Sequence, residues 1–321
     1  MKITRTELVK FTLMEPASDR VREIKPVLSA YITGALTLLK RDAVPDEEAV
    51  HDVRVLMKKC RSIMKLVSFQ VKPEVFKNEY LIFRDTGRAL TAFRESSVHR
   101  KTLRNLKKIH RELFARLEGN EKIAALLTAK EPHMTPSQEV IASLGETIKI
   151  LTRTSFRVRF MTLNNPSNER LLEGLQKSYE TVCADYIMCR NSPKSSSLHR
   201  MRKRVKDLLY QLYFFRPLNP SRIKGVEKRL DLIAQNLGLY NDHSQLLDAI
   251  GYMDAEVKNA DLDELMIVVR NSQDKYLLKV WPVAYRMFCP GQDITGILGI
   301  GSLSPGTSDI PHPLLSGEND L

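Results

Sequence analysis

A chain of 321 residues, 43% hydrophobic and 27% charged, has the balance of a folded globular protein rather than a disordered one. Its 50 lysines and arginines against 38 acidic residues give a formal net charge of +12, which favours polyanionic partners: nucleic acid, anionic membrane or polymeric phosphate. Composition does not choose among the three, but no run approaches the roughly 18 apolar residues of a spanning helix.

Met1 to Phe11 is charged at nearly every other position and lacks the apolar centre of a signal peptide, so a cytoplasmic protein is expected. Residues 1–17 read as a lead-in ending near Pro16. Ser18 and Asp19 offer helix-start chemistry for a segment with Val21, Ile24, Leu28, Tyr31, Ala35 and Leu38 on one face. Pro26 either kinks that helix or marks its first turn. Pro45-Asp46-Glu47-Glu48 starts a second helix, its acids lying near the positive helix end. A third follows Pro73 through Phe76, Tyr80 and Phe83 to about Phe93. The fourth runs from about Val98 to Leu117, with Leu103, Leu106, His110, Leu113 and Leu117 along one side. Four such helices joined by short turns describe an up-and-down bundle.

Lys122–Lys130 and Pro132–Pro136 read as a linker, and the second half repeats the plan. Helices are expected at 137–162, 167–190, after Pro193 as far as Pro217, and at 221–238, 242–259 and 262–288, with Pro282 kinking the last. From Pro290 the chain loses helical periodicity and reads as a flexible tail, 289–321. Four cysteines without a Cys-x-x-Cys pair (Cys60, Cys183, Cys189 and Cys289), three of them in helical apolar patterns, read as free thiols.

Two of these helices open alike. His51, Arg54 and Lys58 stand at i, i+3 and i+7, and so do His199, Arg202 and Lys206. On an α-helix this spacing stacks them in one stripe about two turns long. The apolar positions keep the same register: Val50, Val53, Met57, Cys60, Met64 and Val67 in the first, and Leu198, Met201, Val205, Leu208, Leu212 and Phe215 in the second. A second landmark repeats as well. Leu90–Glu95 aligns with Leu237–Asp242; His51 to Arg94 is 43 residues and His199 to Asn241 is 42. Matched register and matched spacing together indicate an internal repeat.

These residues resemble the CHAD family, the conserved histidine α-helical domain, whose signature is a helix beginning His-x-x-Arg-x-x-x-(Arg/Lys) once per half, with a later Leu-Gly-x-x-Arg-Asp-like turn. The pattern lies at His51, Arg54, Lys58, Lys59 and Arg61, and again at His199, Arg202, Lys203 and Lys206, within a similarity covering about 18–288. The resemblance implies an all-α fold: two pseudo-symmetric four-helix bundles, 18–130 and 136–288, with a basic surface or channel between them that binds inorganic polyphosphate. Asp207 and Leu209 stand where the first helix has Lys59 and Arg61, and Asn241 and Glu95 replace the arginine and aspartate of the family turn, so the second half-site is expected to be weaker. The Glu-x-Glu-x-Lys signature of the triphosphatase domain fused to some family members is absent.

The chemistry suits a phosphate chain, which carries charge at every unit and no bases to read. His51, Arg54, Lys58, Arg61 and Lys65 offer donors about one helical turn apart. Arginine forks grip two oxygens, lysine is an adjustable point charge, and histidine donates a ring N–H in either charge state. The stripe lies at the shoulder of the apolar seam, where a neighbouring bundle could face it and form a basic groove. Secondary candidates are Arg84, Arg88, Arg94, Arg100, Arg104, Lys107 and Arg111, with Arg153, Arg157, Lys224 and Lys228 in the second half. His243, beside the second landmark, is a candidate neighbour of the site; His99, His110, His133 and His312 read as incidental.

The expected function is therefore non-catalytic polyphosphate binding, without cofactor, metal or membrane partner, and with an association with polyphosphate granules following from that ligand. A phosphoanhydride-processing enzyme using His51 or His199 would need a carboxylate cluster for Mg²⁺, and Asp52 is isolated. Metal chelation lacks His or Cys at ligand spacing, and the adjacent cations would repel it. Nucleic-acid binding would call for stacking aromatics, for which only Tyr210 and Tyr213 are near.

Overall fold

The computed structural model describes residues 20–42, 45–90, 95–118, 138–164, 166–251 and 260–300. Among these the protein is all-α, with eleven helices and no strand. The first five are α1 (Ile24–Lys40), α2 (Glu47–Leu66), α3 (Pro73–Ala89), α4 (Glu95–Ile109) and α5 (Arg111–Glu118). They are followed by α6 (Gln138–Phe160), α7 (Asn168–Asn191), α8 (Ser195–Phe215), α9 (Pro220–Gly251), α10 (Ala260–Phe288) and α11 (Ile294–Leu298).

Local chemistry sets several of the helix starts. The Asp46 carboxylate accepts the Ala49 N–H at 2.7 Å, capping α2, and Glu47 and Glu48 fill its first turn. Ser167 caps α7 through the Arg170 N–H. Pro26 is the third residue of α1, where its missing N–H costs nothing, so it lies in the first turn. Both apolar seams read from the sequence are buried throughout: Val50 to Val67 on α2 and Leu198 to Phe215 on α8 are at most 1% exposed at the six positions of each.

The helices pack in two four-membered rings, α1–α2–α3–α6 and α7–α8–α9–α10, which meet where α2 lies against α7 and α8. One core runs through both. Ring membership differs from the order expected along the chain. Helix α6, read as the opening of the second half, packs on α1 and α3, whereas α4 and α5 lie on α9 and α10. Helical periodicity specifies which face of a segment is apolar and leaves open which core receives it. For α6, Leu151 and Val158 enter the main core, and Arg157 reaches the buried Glu79 of α3 with Nε–Oε1 at 2.6 Å. For α4 and α5, Leu103, Leu106, Phe114 and Leu117 join Leu246, Ile250, Leu262 and Val269 in a smaller second core.

Two further differences have local causes. A break was expected near Gly238, yet α9 runs unbroken from Pro220 to Gly251. The glycine is there for room: a Cβ at 238 would lie 3.0 Å from both Nε and Nη2 of Arg202. Beyond Pro290, where a flexible tail was expected, α11 is capped by Asp293 and buries Ile294 and Leu298 against the main core. It ends at Gly299, whose φ of 61° is the left-handed conformation that glycine adopts without strain.

Candidate anion-binding groove

Helices α2 and α8 run side by side in the same direction. Ser62 Oγ donates to the Asp207 carbonyl at 2.7 Å, Gln211 Nε2 donates to the Ser62 carbonyl at 3.0 Å, and Lys65 Nζ meets Asp207 Oδ2 at 2.5 Å. This pairing brings the two stripes into mutual range. Lys58 of α2 acts electrostatically on His199 of α8, and Arg61 of α2 acts on Lys203 of α8. Arg88, from the end of α3, also acts on Lys203. Cations from three helices therefore lie within electrostatic range of one another, and the surface they share is the candidate groove.

Burial first, and like charge second, act on the residues of this region. Burial, followed by the guanidiniums of Arg61, Arg202 and Arg88, lowers the Lys203 pKa below the ordinary lysine value. Burial, then Lys203 and Arg202, lowers the His199 pKa, with Lys58 adding to the effect and a hydrogen bond with Asn241 opposing it. The Nδ1 of His199 is buried without a hydrogen-bond partner among the described residues. Arg202 crosses α9, donating from Nε to the Ala234 carbonyl at 3.2 Å in the space that Gly238 leaves. His51, Arg54, Lys58 and Arg61 are half-buried on α2, with Nε and Nη1 of Arg54 fully covered.

Other residues of the expected stripes are engaged by the protein itself. Lys59 sits over the rings of Tyr31 and Tyr210, at 5.0 and 6.0 Å, and burial lowers its pKa. Lys206 pairs with Asp231 at 3.0 Å. Asp207, read as thinning the second stripe, acts on the first by holding Lys65. On this flank Arg216 also binds the buried Glu227, at 2.8 Å. Cationic charge is thus neutralised or shielded beside Lys59 and gathered around Arg61 and Lys203.

The secondary candidates disperse. Arg88 acts on Lys203 from the groove's edge, exposed and 3.9 Å from Asp85, with which Arg84 also forms an ion pair. Arg157 is committed to Glu79, and Arg153 is exposed on α6. Arg104, Lys107 and Arg111 are exposed on α4 and α5, which pack on the far helices α9 and α10. Lys224 is half-buried near Glu227, and Lys228 is exposed. Arg94 and the Arg100 side chain lie outside the described residues. His243 faces away from the groove: its Nδ1–H donates to the Leu239 carbonyl at 2.8 Å, and its ring meets Tyr276 edge-on at 5.2 Å.

Asn241, which the sequence marked only as a departure from a motif, is the α9 residue that contacts His199. Among the described residues no group of three or more His, Cys, Asp or Glu side chains is arranged to hold a metal, and no helix is long and apolar enough to cross a membrane. Cys60 and Cys189 are buried, Cys183 and Cys289 half-buried, and all four are free thiols.

A family model described as the CHAD domain matches residues 31–250. The fold is similar to the crystal structure of the CHAD domain from the plant Ricinus communis, which is 16% identical. That match covers 88% of this chain and 94% of the other, with a TM-score of 0.48. No curated protein matches the sequence. With more than half its length matched by the family model, and with both histidine helices inside the match, the chain belongs to the CHAD domain family.

Proposed function

We propose that the chain binds inorganic polyphosphate, without altering it chemically, in the groove between α2 and α8. The observation that carries this reading is the cluster of Arg61, Arg88, Arg202 and Lys203, drawn from three helices, in which burial first and then the three guanidiniums destabilise the Lys203 ammonium. Like charges held together, with Arg61 and Arg202 half-buried and Lys203 and Arg88 exposed to an incoming ligand, are unfavourable until an anion enters, and a phosphate chain supplies negative charge at every unit. His51, Arg54, Lys58 and Arg61 on α2, with His199, Arg202 and Lys203 on α8, are the assigned ligands. Their side chains donate hydrogen bonds and charge, which suits holding phosphate oxygens; phosphoryl transfer, even with His51 or His199 as nucleophile, would further require a carboxylate-held divalent ion. A protein with this ligand would collect on cytoplasmic polyphosphate stores.

Titrating the protein with labelled long-chain polyphosphate tests the proposal. The charge-reversed pair Arg54→Glu with Arg202→Glu is expected to abolish binding while far-ultraviolet circular dichroism stays unchanged. Retained affinity in that helical variant would overturn the assignment, and orthophosphate release lost in His51→Ala would overturn the non-catalytic reading.

A further inference from the structure

A second concentration of arginines lies on α9, turned away from the groove. Arg222 and Arg229 are seven residues apart and share one helix face. Asp231, Ala234 and Gly238, which meet Lys206 and Arg202 of the groove, lie roughly half a turn around the same helix. With Arg286 near the end of α10, the two arginines line a cleft of about 660 Å³ closed on its far side by the Gly291–Ile297 segment. That volume is in the range of small-ligand sites, roughly 300–1,000 Å³.

The charge in this cleft is only partly compensated, three guanidiniums facing one carboxylate. Among the described residues none of the three guanidiniums meets a carboxylate: Arg222 Nε donates to the Ile297 carbonyl at 3.0 Å, and Arg229 approaches only the Met287 sulfur, at 4.0 Å. Asp293 is the one carboxylate in the lining, and it is occupied. Its Oδ1 accepts the Gly296 N–H at 2.6 Å and its Oδ2 accepts the Thr295 hydroxyl at 3.1 Å. The rim is also fixed in advance. Asn219 donates to the Gly299 carbonyl at 3.0 Å, the Ile294 N–H donates to Gln176 at 3.0 Å, and Ile294 and Leu298 are fully buried. Because the rim is preformed, binding an anion rich in oxygens has only the exposed Arg229 and Arg286 side chains left to order.

We propose that this cleft is a second anion site, separate from the groove, taking a compact and multiply charged phosphate group: free tripolyphosphate or the end of a longer phosphate chain. Arg229 and Arg286 supply the grip, and Arg222 braces the α11 segment while adding charge. The inference does not depend on what the groove binds.

The test measures tripolyphosphate binding by calorimetry in two parents, the wild type and the groove variant Arg61→Ala/Lys203→Ala. In each parent, Arg229→Glu/Arg286→Glu is expected to weaken one tripolyphosphate equivalent at least about tenfold. Arg229→Lys/Arg286→Lys is expected to retain most of it. Both positions are exposed and hold no other element in place, and circular dichroism checks that helicity is kept. Long-chain polyphosphate separates the two sources: affinity lost with tripolyphosphate identifies a chain end, and affinity unchanged identifies a free compact ligand. Tripolyphosphate binding within about twofold of the parent in the glutamate pair, or as weak in the lysine pair as in the glutamate pair, would overturn the assignment. A groove variant that leaves long-chain binding intact would instead count against the groove alone.

Discussion

Replacing Arg61 and Lys203 by alanine removes two cations from the centre of the groove, one from each histidine helix, without touching either apolar seam. The consequence can be worked from counterion release. Each cation that neutralises a phosphate on a single flexible polyanion contributes about 0.7 to the slope of log affinity against log salt. Removing two should flatten that slope by about 1.4. At about 0.1 M salt the same term weakens binding about 25-fold, shrinking to roughly threefold near 0.5 M. Stability should move the other way or not at all, because Lys203 is held among like charges. Fluorescence anisotropy of labelled polyphosphate across that salt range, with a thermal melt of each protein, reads both quantities. An unchanged slope would refute the reasoning even if affinity fell, since it would mean that neither residue neutralises phosphate.

Three other perturbations probe the scaffold. Gly174 lies where α7 crosses the end of α2, and a Cβ there would sit 2.2 Å from the Leu66 carbonyl oxygen; Gly174→Ala should lower stability by about 1–3 kcal/mol in denaturant unfolding despite its better helix propensity, and an unchanged midpoint would contradict the close crossing. Arg157→Met strips Glu79, which is 3% exposed, of its ion-pair partner, and should cost about 2–3 kcal/mol, below the roughly 3–5 kcal/mol typical of a fully buried pair because Arg157 itself is 42% exposed; no loss would mean that this pair does not anchor α6. For His199, burial, Lys203 and Arg202 depress the pKa, so the unfolded chain takes up the proton first as pH falls. Its stabilising contribution is present above the ordinary histidine pKa and is lost below it; the stability of wild type relative to His199→Asn should therefore shrink between about pH 7.5 and about pH 5.5, and a growing difference would reverse the sign of the argument.

The sequence made the helices and their inward faces legible, because period-3.6 apolar patterning is written in each segment separately. Every seam position named on α2 and α8 is buried. It made the groove legible in part. Lys58 and Arg61 lie within electrostatic range of His199 and Lys203, yet Lys59, Lys65 and Lys206 of the same stripes are occupied by tyrosine rings or carboxylates. Those partners come from other helices, Tyr31 on α1, Asp207 on α8 and Asp231 on α9, so no local spacing could reveal them. The same limit applies to α6, whose place in the first ring depends on Glu79 and Arg157, 78 positions apart. At Gly238 the residue was visible and its reason was not: glycine there admits the Arg202 side chain and does not end the helix.

The central claim is that the groove is built for a phosphate chain and not for nucleic acid. A competition titration tests it most directly, with the full chain pre-bound to labelled long-chain polyphosphate and challenged, at one fixed salt concentration, by unlabelled polyphosphate or by single-stranded RNA of equal total charge. Unlabelled polyphosphate should displace the probe stoichiometrically while RNA displaces it only at large excess, because the groove offers cations from α2, α3 and α8 and its nearby rings, Tyr31 and Tyr210, are already covered by Lys59. Equal displacement by RNA, or no saturable binding of polyphosphate at all, would contradict the account.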